Sequence, residues 1–406
     1  MSNKISFEFN ACKVDSFAKT YSVMNAHMMQ LDNAESRNGN IREILNWKTE
    51  LTNPRKRCVG TSERDMNVFF LLAESLWIWV GRKDLSFLKI FNKNMANFSD
   101  DGKSFHAPYG FRMRKFGVNS FESETVVTDE NKHAIEQQRV EGDQFLKSLR
   151  MLSGEIGDGV ETRRAVIQIW NAELDLAKDT KDLPCNDLLM LQSRGGKLHA
   201  TIANRSNDLH WGLPTNIFQF STILEIFSSI LGQEVGTQVH NSKSLHIYTD
   251  NPICDNMLKS EKLDLYDYTS YVDFDYNFEE PLDSQKRLSE IDYSINLVIG
   301  KLEMYNNDEI NSLDVDLLIQ DISKKSIWLA RVFRLLKIYI KYKKSLPCDV
   351  KRSDAIRDIF SVGVENLNDF EYLGVNFFMK RIKTLPHQSN KKYIRGLLDC
   401  DKIGNF

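Results

Sequence analysis

A glycine-centred hairpin constrains the fold of this chain more than any other stretch of its sequence. Apolar and β-branched residues dominate positions 188–193 and 198–204, and the four residues between them include Gly195 and Gly196. Two glycines in a short connection favour the positive φ angles of a tight β-turn. The pattern therefore predicts two antiparallel strands joined at the two glycines.

The predicted pairing brings a cysteine and an arginine together. With the turn centred on the glycine pair, Cys185 lies opposite Ser206 and beside Arg205. A guanidinium binds phosphate through paired hydrogen bonds and also stabilises the thiolate form of a nearby cysteine. The alternative for either residue by itself is structural, a buried cysteine at a strand start and an arginine at a strand end. Their pairing favours a reactive site.

Composition limits the classes of protein to which the chain can belong. It has 406 residues, 42% hydrophobic and 27% charged, enough for a large core plus an extension. A net charge of -3 from 53 basic and 56 acidic residues leaves no basic footprint, so direct nucleic-acid binding is not expected. The 6 cysteines form no CxxC pair and follow no secretory segment, so we expect no disulfide, no metal site and a cytoplasmic location.

A carboxylate lies inside the most apolar stretch of the sequence. Residues 67–81 have the pattern of a buried helix that ends at Gly81, and Glu74 stands in its middle. The stretch is shorter than the ~20 residues of a membrane span, and no membrane anchor is expected. A buried carboxylate must be paired, be neutral or face a cavity. Glu74 is therefore either an acid–base group with a raised pKa or half of a structural ion pair.

Two later stretches complete the predicted core. Residues 217–231 are apolar almost all round and precede Gly232, which predicts a buried central helix. Residues 244–248 alternate as a strand does, so His246 and Tyr248 share one face. Two polar aromatic side chains on one face suit a hydroxyl or carbonyl ligand, and a satisfied core pair is the alternative.

The last third of the sequence is helical in pattern. Apolar residues recur at i, i+3 and i+4 over residues 289–305, 315–342 and 359–382. Residues 263–280, rich in Tyr, Phe and Asp, could add strands to the core. A basic stripe on the second helix predicts a solvated face, with contact to nucleic acid or a membrane surface as the alternative. The stripe consists of Arg331, Arg334, Lys337 and Lys341.

These motifs together resemble the active-site core of thymidylate synthases and their relatives, the pyrimidine-nucleotide hydroxymethylases. Leu183-Pro184-Cys185, then Asn-Arg-Ser-Asn-Asp at 204–208, then Gly-Leu-Pro-Thr-Asn at 212–216 match that core in order. The resemblance covers roughly residues 37–252 and is nearest in type to the deoxyuridylate hydroxymethylases of bacteriophages.

The resemblance implies a fold and a division of the chain. The fold would be α+β, a three-layer arrangement with a large mixed sheet and a buried central helix, followed by an α-helical C-terminal extension. The catalytic domain would span residues 1–281, with an insertion near residues 115–142. The helical extension would span residues 282–406.

The resemblance also assigns roles to single residues. Cys185 would be the nucleophile, Glu74 would organise water and proton transfers, and Tyr109 would line the nucleotide pocket as a further catalytic residue. Asn216 would read uracil, since its amide offers one donor and one acceptor to O4 and N3–H. Substrate binding falls on Arg37, Arg163, Arg164, Arg205, Ser206, Asp208, His246 and Tyr248, and folate binding on Asp208, Trp211 and Gly212.

Two of these substrate ligands imply an assembly. In the family an arginine pair at the position of Arg163 and Arg164 reaches across a dimer interface to the partner's substrate phosphate, so a homodimer is expected. Arg37 would close over the phosphate, and a solvated loop arginine is the alternative on its residues alone.

The implied reaction is one-carbon transfer from 5,10-methylenetetrahydrofolate to C5 of dUMP through a Cys185 adduct at C6. Its product depends on water access to the new carbon. The synthases shield that carbon with tryptophan, but residues 90–98 contain none, and Asn186 and Ala203-Asn204 replace their usual histidine and Tyr-Gln.

We therefore favour a C1-group transferase that makes 5-hydroxymethyl-dUMP, as bacteriophages do to replace thymine in DNA. It would act in the cytoplasm, or in the host cytoplasm if viral. The alternatives are a thymidylate synthase that makes dTMP and a catalytically silent nucleotide-binding paralogue.

Overall fold

A computed structural model describes most of the chain. The described ranges are 10–36, 39–59, 65–117, 142–157, 159–259, 273–278, 283–344, 348–361 and 368–381. Arg37 and most of the expected insertion near residues 115–142 lie outside them. Within them, no helix is both long enough and apolar enough to cross a membrane.

The described strands form one mixed sheet, as the expected fold class requires. Eight strands pair in the order β1-β3-β8-β6-β5-β4, with β2 paired to β3 and β7 paired to β8. Three pairs are parallel, β1 with β3, β6 with β8 and β7 with β8. The strands are β1 (Ala11–Val14), β2 (Ala34–Ser36), β3 (Gly39–Leu51), β4 (Val166–Gln168), β5 (Asn186–Arg194), β6 (Lys197–Asn204), β7 (Asn207–Asp208) and β8 (Glu234–Tyr248).

Helices cover the sheet and continue beyond it. Those before the last third are α1 (Phe17–Met28), α2 (Val68–Trp79), α3 (Ser86–Phe91), α4 (Tyr109–Arg114), α5 (Gln144–Leu152), α6 (Ala172–Asp175), α7 (Gly212–Leu231) and α8 (Pro252–Lys259). A 3₁₀ helix at Lys93–Phe98 follows α3. The C-terminal helices are α9 (Ser284–Asn306), α10 (Ser312–Ser323), α11 (Ile327–Lys344), α12 (Asp349–Phe360) and α13 (Asp369–Met379).

The predicted hairpin is present, and its two glycines form the turn. Arg194 pairs with Lys197 across the turn, while Gly195 and Gly196 have φ angles of 56° and 75°. These left-handed values favour glycine over residues that carry a Cβ atom. The strands β5 and β6 therefore begin in the predicted register.

The predicted central helix is α7, and it is buried. It contacts β6 and β8 of the sheet and also α2 and α9. It ends at Gly232, which has a φ of 65°, as predicted. It begins at Gly212, before the predicted residue 217, because Pro214 lies in the first turn, where backbone N–H groups have no intrahelical acceptor.

The last third is helical, but each of two stretches that were predicted as one helix contains parts of two helices. The predicted helix 315–342 is α10 and α11, separated where Ser326 and Asp275 cap α11 through the N–H groups of Leu329 and Trp328. The prediction of one helix over residues 359–382 was also wrong. These residues include the end of α12 and all of α13, and a capping box at Asn368 starts α13.

The strands considered for residues 263–280 are absent from the part that the structure describes. Residues 273–278 have no regular secondary structure, and the rest of that stretch lies outside the described residues. In place of strand pairing, the backbone N–H of Asn277 donates to the carbonyl of Lys325, and Asp275 caps α11. The stretch therefore ties helices together and does not extend the sheet.

Most of the basic stripe is not a solvated face: only the Lys341 side chain is exposed, at 58%, so the prediction was wrong for the other three residues. Its side chains hold α11 against α10, α12 and α13, and the Lys337 residue is only 7% exposed. Arg334 donates to the carbonyl of Ile359 at 2.8 Å. The acidic partners lie on other helices, which periodicity within one helix does not indicate. The ion pairs are Arg331 with Glu371, Lys337 with Asp316 and Lys341 with Asp358.

The C-terminal helices share one apolar core with α2 and α7. The Phe69 ring of α2 stacks on Tyr339 of α11 with centroids 4.7 Å apart, and Phe218 of α7 lies 5.4 Å from Phe370 of α13. The division of the chain at residue 282 stays a prediction, but these rings bury apolar area on both sides of it.

A buried ionic cluster adds to this contact. The Arg57 guanidinium is fully buried, lies 2.6 Å from Glu225 of α7 and stands over the ring of Phe370 at 5.2 Å. Cys58 Sγ donates to Asp369 of α13 at 3.3 Å. Burial raises the pKa of Asp369 to about 7, although the charge of Arg57 lowers it. Arg57 therefore compensates buried carboxylates from two helices.

Replacing Arg57 should destabilise the protein strongly. Arg57→Met leaves Glu225 buried without its nearest cation, and such uncompensated burial costs about 3–5 kcal/mol. Denaturation with guanidinium chloride measures the free energy of unfolding. The control is Lys13→Ala, which removes a pair with Glu50 in which the lysine side chain is 66% exposed and should cost less than about 1 kcal/mol. Equal losses of stability in the two variants would contradict the role of Arg57 in compensating the buried Glu225 carboxylate.

Candidate active site

Cys185 lies opposite Arg205 and not, as predicted, opposite Ser206. A β-bulge at Asp187 shifts the register of β5 against β6 by one residue. The backbone N–H of Arg205 consequently donates to the carbonyl of Cys185 at 3.0 Å. A bulge places two residues of one strand opposite one of its partner, and nothing in the alternation of the sequence indicates it. The observed register therefore places Arg205 directly opposite Cys185.

The Cys185 thiol stands in a half-buried position beside a tyrosine. Its backbone N–H donates to the Tyr109 hydroxyl at 3.4 Å. Burial raises the pKa of Cys185, and the nearby charge of Arg205 lowers it. Burial also raises the pKa of Tyr109 well above its usual range, helped by the charges of Cys185 and Asp182. Tyr109 therefore stays a neutral hydroxyl, and the arginine favours the reactive thiolate.

The Arg205 side chain organises the loop in front of the cysteine. Its Nε donates to the carbonyl of Pro184 at 2.8 Å, and its guanidinium stands over the Trp170 ring at 5.6 Å. The residue is exposed, and Ser206 beside it is half-buried. The guanidinium is thus oriented by protein groups while it faces solvent, as a ligand of a dianionic phosphate must.

The Asn216 amide is held between two other amides. The Nδ2 of Asn186 donates to Asn216 Oδ1 at 3.1 Å, and Asn216 Nδ2 donates to Asn207 Oδ1 at 3.3 Å. All three residues are buried. Because Asn186 follows Cys185 directly, this contact places the Asn216 amide close to the cysteine.

The Glu74 carboxyl lies near enough to Tyr109 to affect its pKa. Its Oε2 accepts a short hydrogen bond from Gln219 Nε2 of α7. Burial raises the pKa of Glu74 from an ordinary 4.5 to about 8, and the glutamine bond only partly offsets this. The charge of Glu74 is also among those that raise the pKa of Tyr109. At neutral pH the group is mostly a protonated acid, in keeping with the acid–base alternative.

A second cluster lies where β7 pairs with β8. Asp208 pairs with His246, and the rings of His246 and Tyr248 lie edge to face 5.2 Å apart, on one face of β8 as predicted. Asp208 Oδ1 accepts from the backbone N–H groups of His210 and Trp211 at 2.6 and 2.8 Å. The carboxylate is therefore fixed in place at the start of α7.

Three of the expected phosphate ligands are not joined to this arrangement. Arg37 lies outside the described residues, although Ser36 and Gly39 on either side of its loop pair with each other. Arg163 and Arg164 are exposed and precede β4 at the edge of the sheet. Their expected roles stay predictions.

Sequence reasoning missed several residues near the cysteine. Gln219 could have been found, because it lies three residues after Asn216 and so on the same face of α7. Asp182, whose Oδ2 accepts from the Ala107 N–H at 2.8 Å, carries no such signal. Burial raises the pKa of Asp182.

The residues at the start of α7 are suited to a folate. Asp208 offers a carboxylate to a pterin N–H, and the Trp211 residue is 45% exposed, so its ring can pack against a flat heterocycle. Gly212, which follows Trp211 and begins α7, is half-buried. In the ranges that the structure describes, no cluster of His, Cys, Asp or Glu has the composition of a metal site.

Comparison with known proteins agrees with this geometry. The family profile described as Thymidylate synthase matches residues 34–267. The deoxyuridylate hydroxymethyltransferase of Bacillus phage SP01 is 38% identical over 278 residues, which cover 66% of this chain and 68% of that protein. The protein of the same name from Pseudomonas phage M6 is 34% identical over 199 residues, 48% of this chain and about half (49%) of that protein's length.

A solved structure shows the same fold. The crystal structure of thymidylate synthase from T4 phage superposes with a TM-score of 0.50 at 16% identity, over 68% of this chain and 91% of that chain. The expected α+β fold with a mixed sheet is thereby confirmed.

The raised pKa of Glu74 predicts a pH-dependent effect of Glu74→Gln. The folded protein keeps a proton up to about pH 8, whereas the unfolded chain releases it near pH 4.5, so wild-type stability falls as the pH rises between these values. The glutamine variant has no such loss. Its stability relative to wild type should therefore increase by about 3–4 kcal/mol from about pH 5 to about pH 8. Chemical denaturation at both pH values measures this.

A glutamate with an exposed side chain is the control for this experiment. The Glu234 side chain is 74% exposed, and Glu234→Gln should follow the wild type at both pH values. A Glu74→Gln curve parallel to the wild-type curve would show that Glu74 is ionised in the folded protein.

The close approach of α4 to α2 predicts the effect of a single methyl group. A Cβ atom on Gly110 would stand 1.9 Å from the Ile78 carbonyl oxygen, so Gly110→Ala must displace the adjacent Tyr109. We expect a loss of about 1–3 kcal/mol in thermal or chemical denaturation, with weakened nucleotide binding. Gly300→Ala in α9, where an added Cβ meets nothing within 4 Å, is the control; it should be neutral or stabilising by up to about 1 kcal/mol.

Proposed function

The chain belongs to the thymidylate synthase family, and we propose that it transfers a one-carbon unit to C5 of dUMP and forms 5-hydroxymethyl-dUMP. The observation that carries the reaction class is the contact of Cys185 with Arg205 and Tyr109 beside the buried Asn216 amide. The observation that carries the product is the 38% identity to a phage deoxyuridylate hydroxymethyltransferase over two thirds of both chains.

Covalent catalysis by Cys185 begins the proposed reaction. Its thiolate adds to C6 of the uracil ring, an S–C bond forms, and the C5–C6 π electrons move toward C5 and O4. The N–H of Asn216 that does not bond to Asn207 donates to O4 and stabilises the developing negative charge. Arg205 favours the thiolate before attack.

The dUMP ligands follow from position. Arg205 and Ser206 would bind the 5′-phosphate together with Arg37, while His246 and Tyr248 would hold the sugar hydroxyl. This assignment is supported by the oriented guanidinium and by the pairing of His246 with Asp208.

Asp208, Trp211 and Gly212 would hold 5,10-methylenetetrahydrofolate. When bound, that co-substrate supplies a one-carbon unit at the oxidation level of formaldehyde. Asp208 is already oriented by two backbone N–H groups, so its carboxylate needs little reorganisation to accept a hydrogen bond.

Glu74 and Tyr109 would manage protons and water at the new carbon. After C5 has bonded to the one-carbon unit, loss of the C5 proton and release of tetrahydrofolate as the leaving group would leave an exocyclic methylene on C5. Hydroxide from water then bonds to that methylene, the Cys185–C6 bond breaks, and the C5–C6 double bond reforms as the thiolate leaves. The water proton is returned to the protein or solvent. A mostly protonated Glu74 beside Tyr109 suits this exchange, because its pKa of about 8 lies near physiological pH.

The segment at residues 90–98 supports the choice of water over hydride. It has no tryptophan, and the Phe91 ring turns inward to stack on Tyr339 of α11 at 5.7 Å. The Tyr339 hydroxyl also donates to the Phe91 carbonyl at 3.1 Å. The Phe91 ring is thus used in packing against the C-terminal helices, while Phe98 at the end of the segment is 52% exposed. The absence of a tryptophan in this segment supports a wetter site than a tryptophan wall would give.

A homodimer is part of the proposal. Val166 of β4 pairs with Met190 of β5, and these residues are 46% and 37% exposed, so an apolar patch lies on the outer face of the sheet. Arg163 and Arg164 lie beside this patch and are exposed. Burial of the patch against a second copy would bring both arginines near the partner's dUMP phosphate.

The product assay separates the two catalytic alternatives. Purified protein with dUMP and 5,10-methylenetetrahydrofolate should yield 5-hydroxymethyl-dUMP by mass spectrometry, without formation of dihydrofolate. Formation of dTMP with dihydrofolate would overturn the proposed product and establish a thymidylate synthase. Cys185→Ala should reduce turnover about 10³-fold or more.

Cys348→Ala is the matched control, because Cys348 is an exposed free cysteine in the C-terminal helices. It should leave turnover unchanged. Nucleotide binding without turnover in the wild type would support a silent paralogue, against which the nucleophile and its neighbours argue.

A further inference from the structure

Five buried polar side chains form one directed hydrogen-bond chain beneath the cysteine. Each amide nitrogen donates to the oxygen of the next residue, in the order Asn204, Asn186, Asn216, Asn207 and Ser242. The last three bonds measure 3.1, 3.3 and 3.1 Å, and the first is short. Each of the five residues is at most 6% exposed. Water therefore cannot replace a partner that turns away.

The shared direction of donation fixes the orientation of each member. If the Asn216 amide alone turned over, its N–H groups would face the Asn186 N–H groups and its oxygen would face the Asn207 oxygen. Both hydrogen bonds would be lost in a buried place, where an unsatisfied group is most costly. Asn216 can therefore reverse only if its neighbours reverse with it.

The orientation of Asn216 determines which base it can read. One lone pair of Oδ1 is used by Asn186 and one N–H by Asn207, which leaves one acceptor on the Asn186 side and one donor on the Asn207 side. Uracil offers N3–H as donor and O4 as acceptor. Cytosine offers the opposite pattern, N3 as acceptor and an exocyclic amine as donor. A reversed Asn216 would match cytosine in the same position.

We propose that Asn186, supported by Asn204, is a positioning residue that keeps the Asn216 amide in its uracil-reading orientation. The inference rests on the proposed function, since it concerns the base that enters the same site. Asn186 carries both a donor and an acceptor and bonds to Asn204 and Asn216 at once, so the orientations of these three amides are linked. A residue that can only accept would impose the opposite direction.

Two isosteric substitutions on either side of Asn216 test this directly. In Asn186→Asp the carboxylate accepts from Asn204 and forces Asn216 Nδ2 toward itself, which reverses Asn216. In Asn207→Asp the carboxylate accepts from Asn216 Nδ2 and keeps the observed orientation. The two sites are equally buried, at 0% and 1% exposure, so the cost of burying charge is matched.

The readout is the ratio of kcat/KM for dUMP to that for dCMP, together with the corresponding ratio of binding constants by calorimetry, at about pH 8. Asn186→Asp should lower the ratio by about 10²-fold or more, because a site that offers the wrong donor pattern rejects its ligand strongly. Asn207→Asp should keep the preference for dUMP, even where overall activity falls. Damage to folding or packing would lower kcat/KM and affinity for both nucleotides alike and leave the ratio unchanged.

The remaining outcomes decide against the inference or against the proposed function. An unchanged ratio in both variants would overturn the role of Asn186. An equal shift toward dCMP in both variants would also overturn it, because the added charge by itself would then explain the shift. If Asn186→Asp does not fold, Asn204→Asp applies the same reversal one residue farther from the base and is judged by the same ratio. Wild-type protein that binds dUMP without turnover contradicts the proposed function, whereas the binding ratios still test the inference.

Discussion

Burial of the polar side chains on α7 is the constraint on which the rest of the structure depends. The helix lies between the sheet and the helices α2 and α9, so each polar group on it needs a protein partner. Asn216 bonds to two asparagines, Gln219 bonds to Glu74, and Glu225 pairs with Arg57. These three partnerships orient the amide that we propose reads the base, hold the carboxyl that we propose is catalytic and attach the core to the last third of the chain.

The C-terminal helices complete that burial and also contact residues 90–98. Arg57 stands between Glu225 and the ring of Phe370, and Tyr339 packs against Phe91. The extension therefore covers the apolar side of α2 and α7 and holds the Phe91 ring away from solvent, with the residue 2% exposed. The contacts that stabilise the C-terminal helices are thus also those that fix Phe91.

The proposed active centre places one cationic side chain and several neutral hydrogen-bonding groups around the cysteine. Arg205 lies next to Cys185 because a bulge at Asp187 shifts the strand register, while Tyr109 and Glu74 are kept mostly protonated by burial. The Asp208 carboxylate is held by two backbone N–H groups at the start of α7. In the proposed reaction such a site would stabilise an enolate with donors that need little reorganisation.

Local patterns in the sequence were sufficient to predict the hairpin, the helix that carries Glu74, the central helix and the shared face of His246 and Tyr248. The order of the motifs was sufficient to predict the fold class. These features depend on turn chemistry and on periodicities of two and 3.6 residues, which are properties of neighbouring residues. The bulge at Asp187, the break before Ser326, the partners of the basic stripe and the amide chain through Asn186 came from the folded chain. Each depends on a residue distant in sequence, and the strength of a buried hydrogen bond or ion pair exceeds the local preference that it overrides.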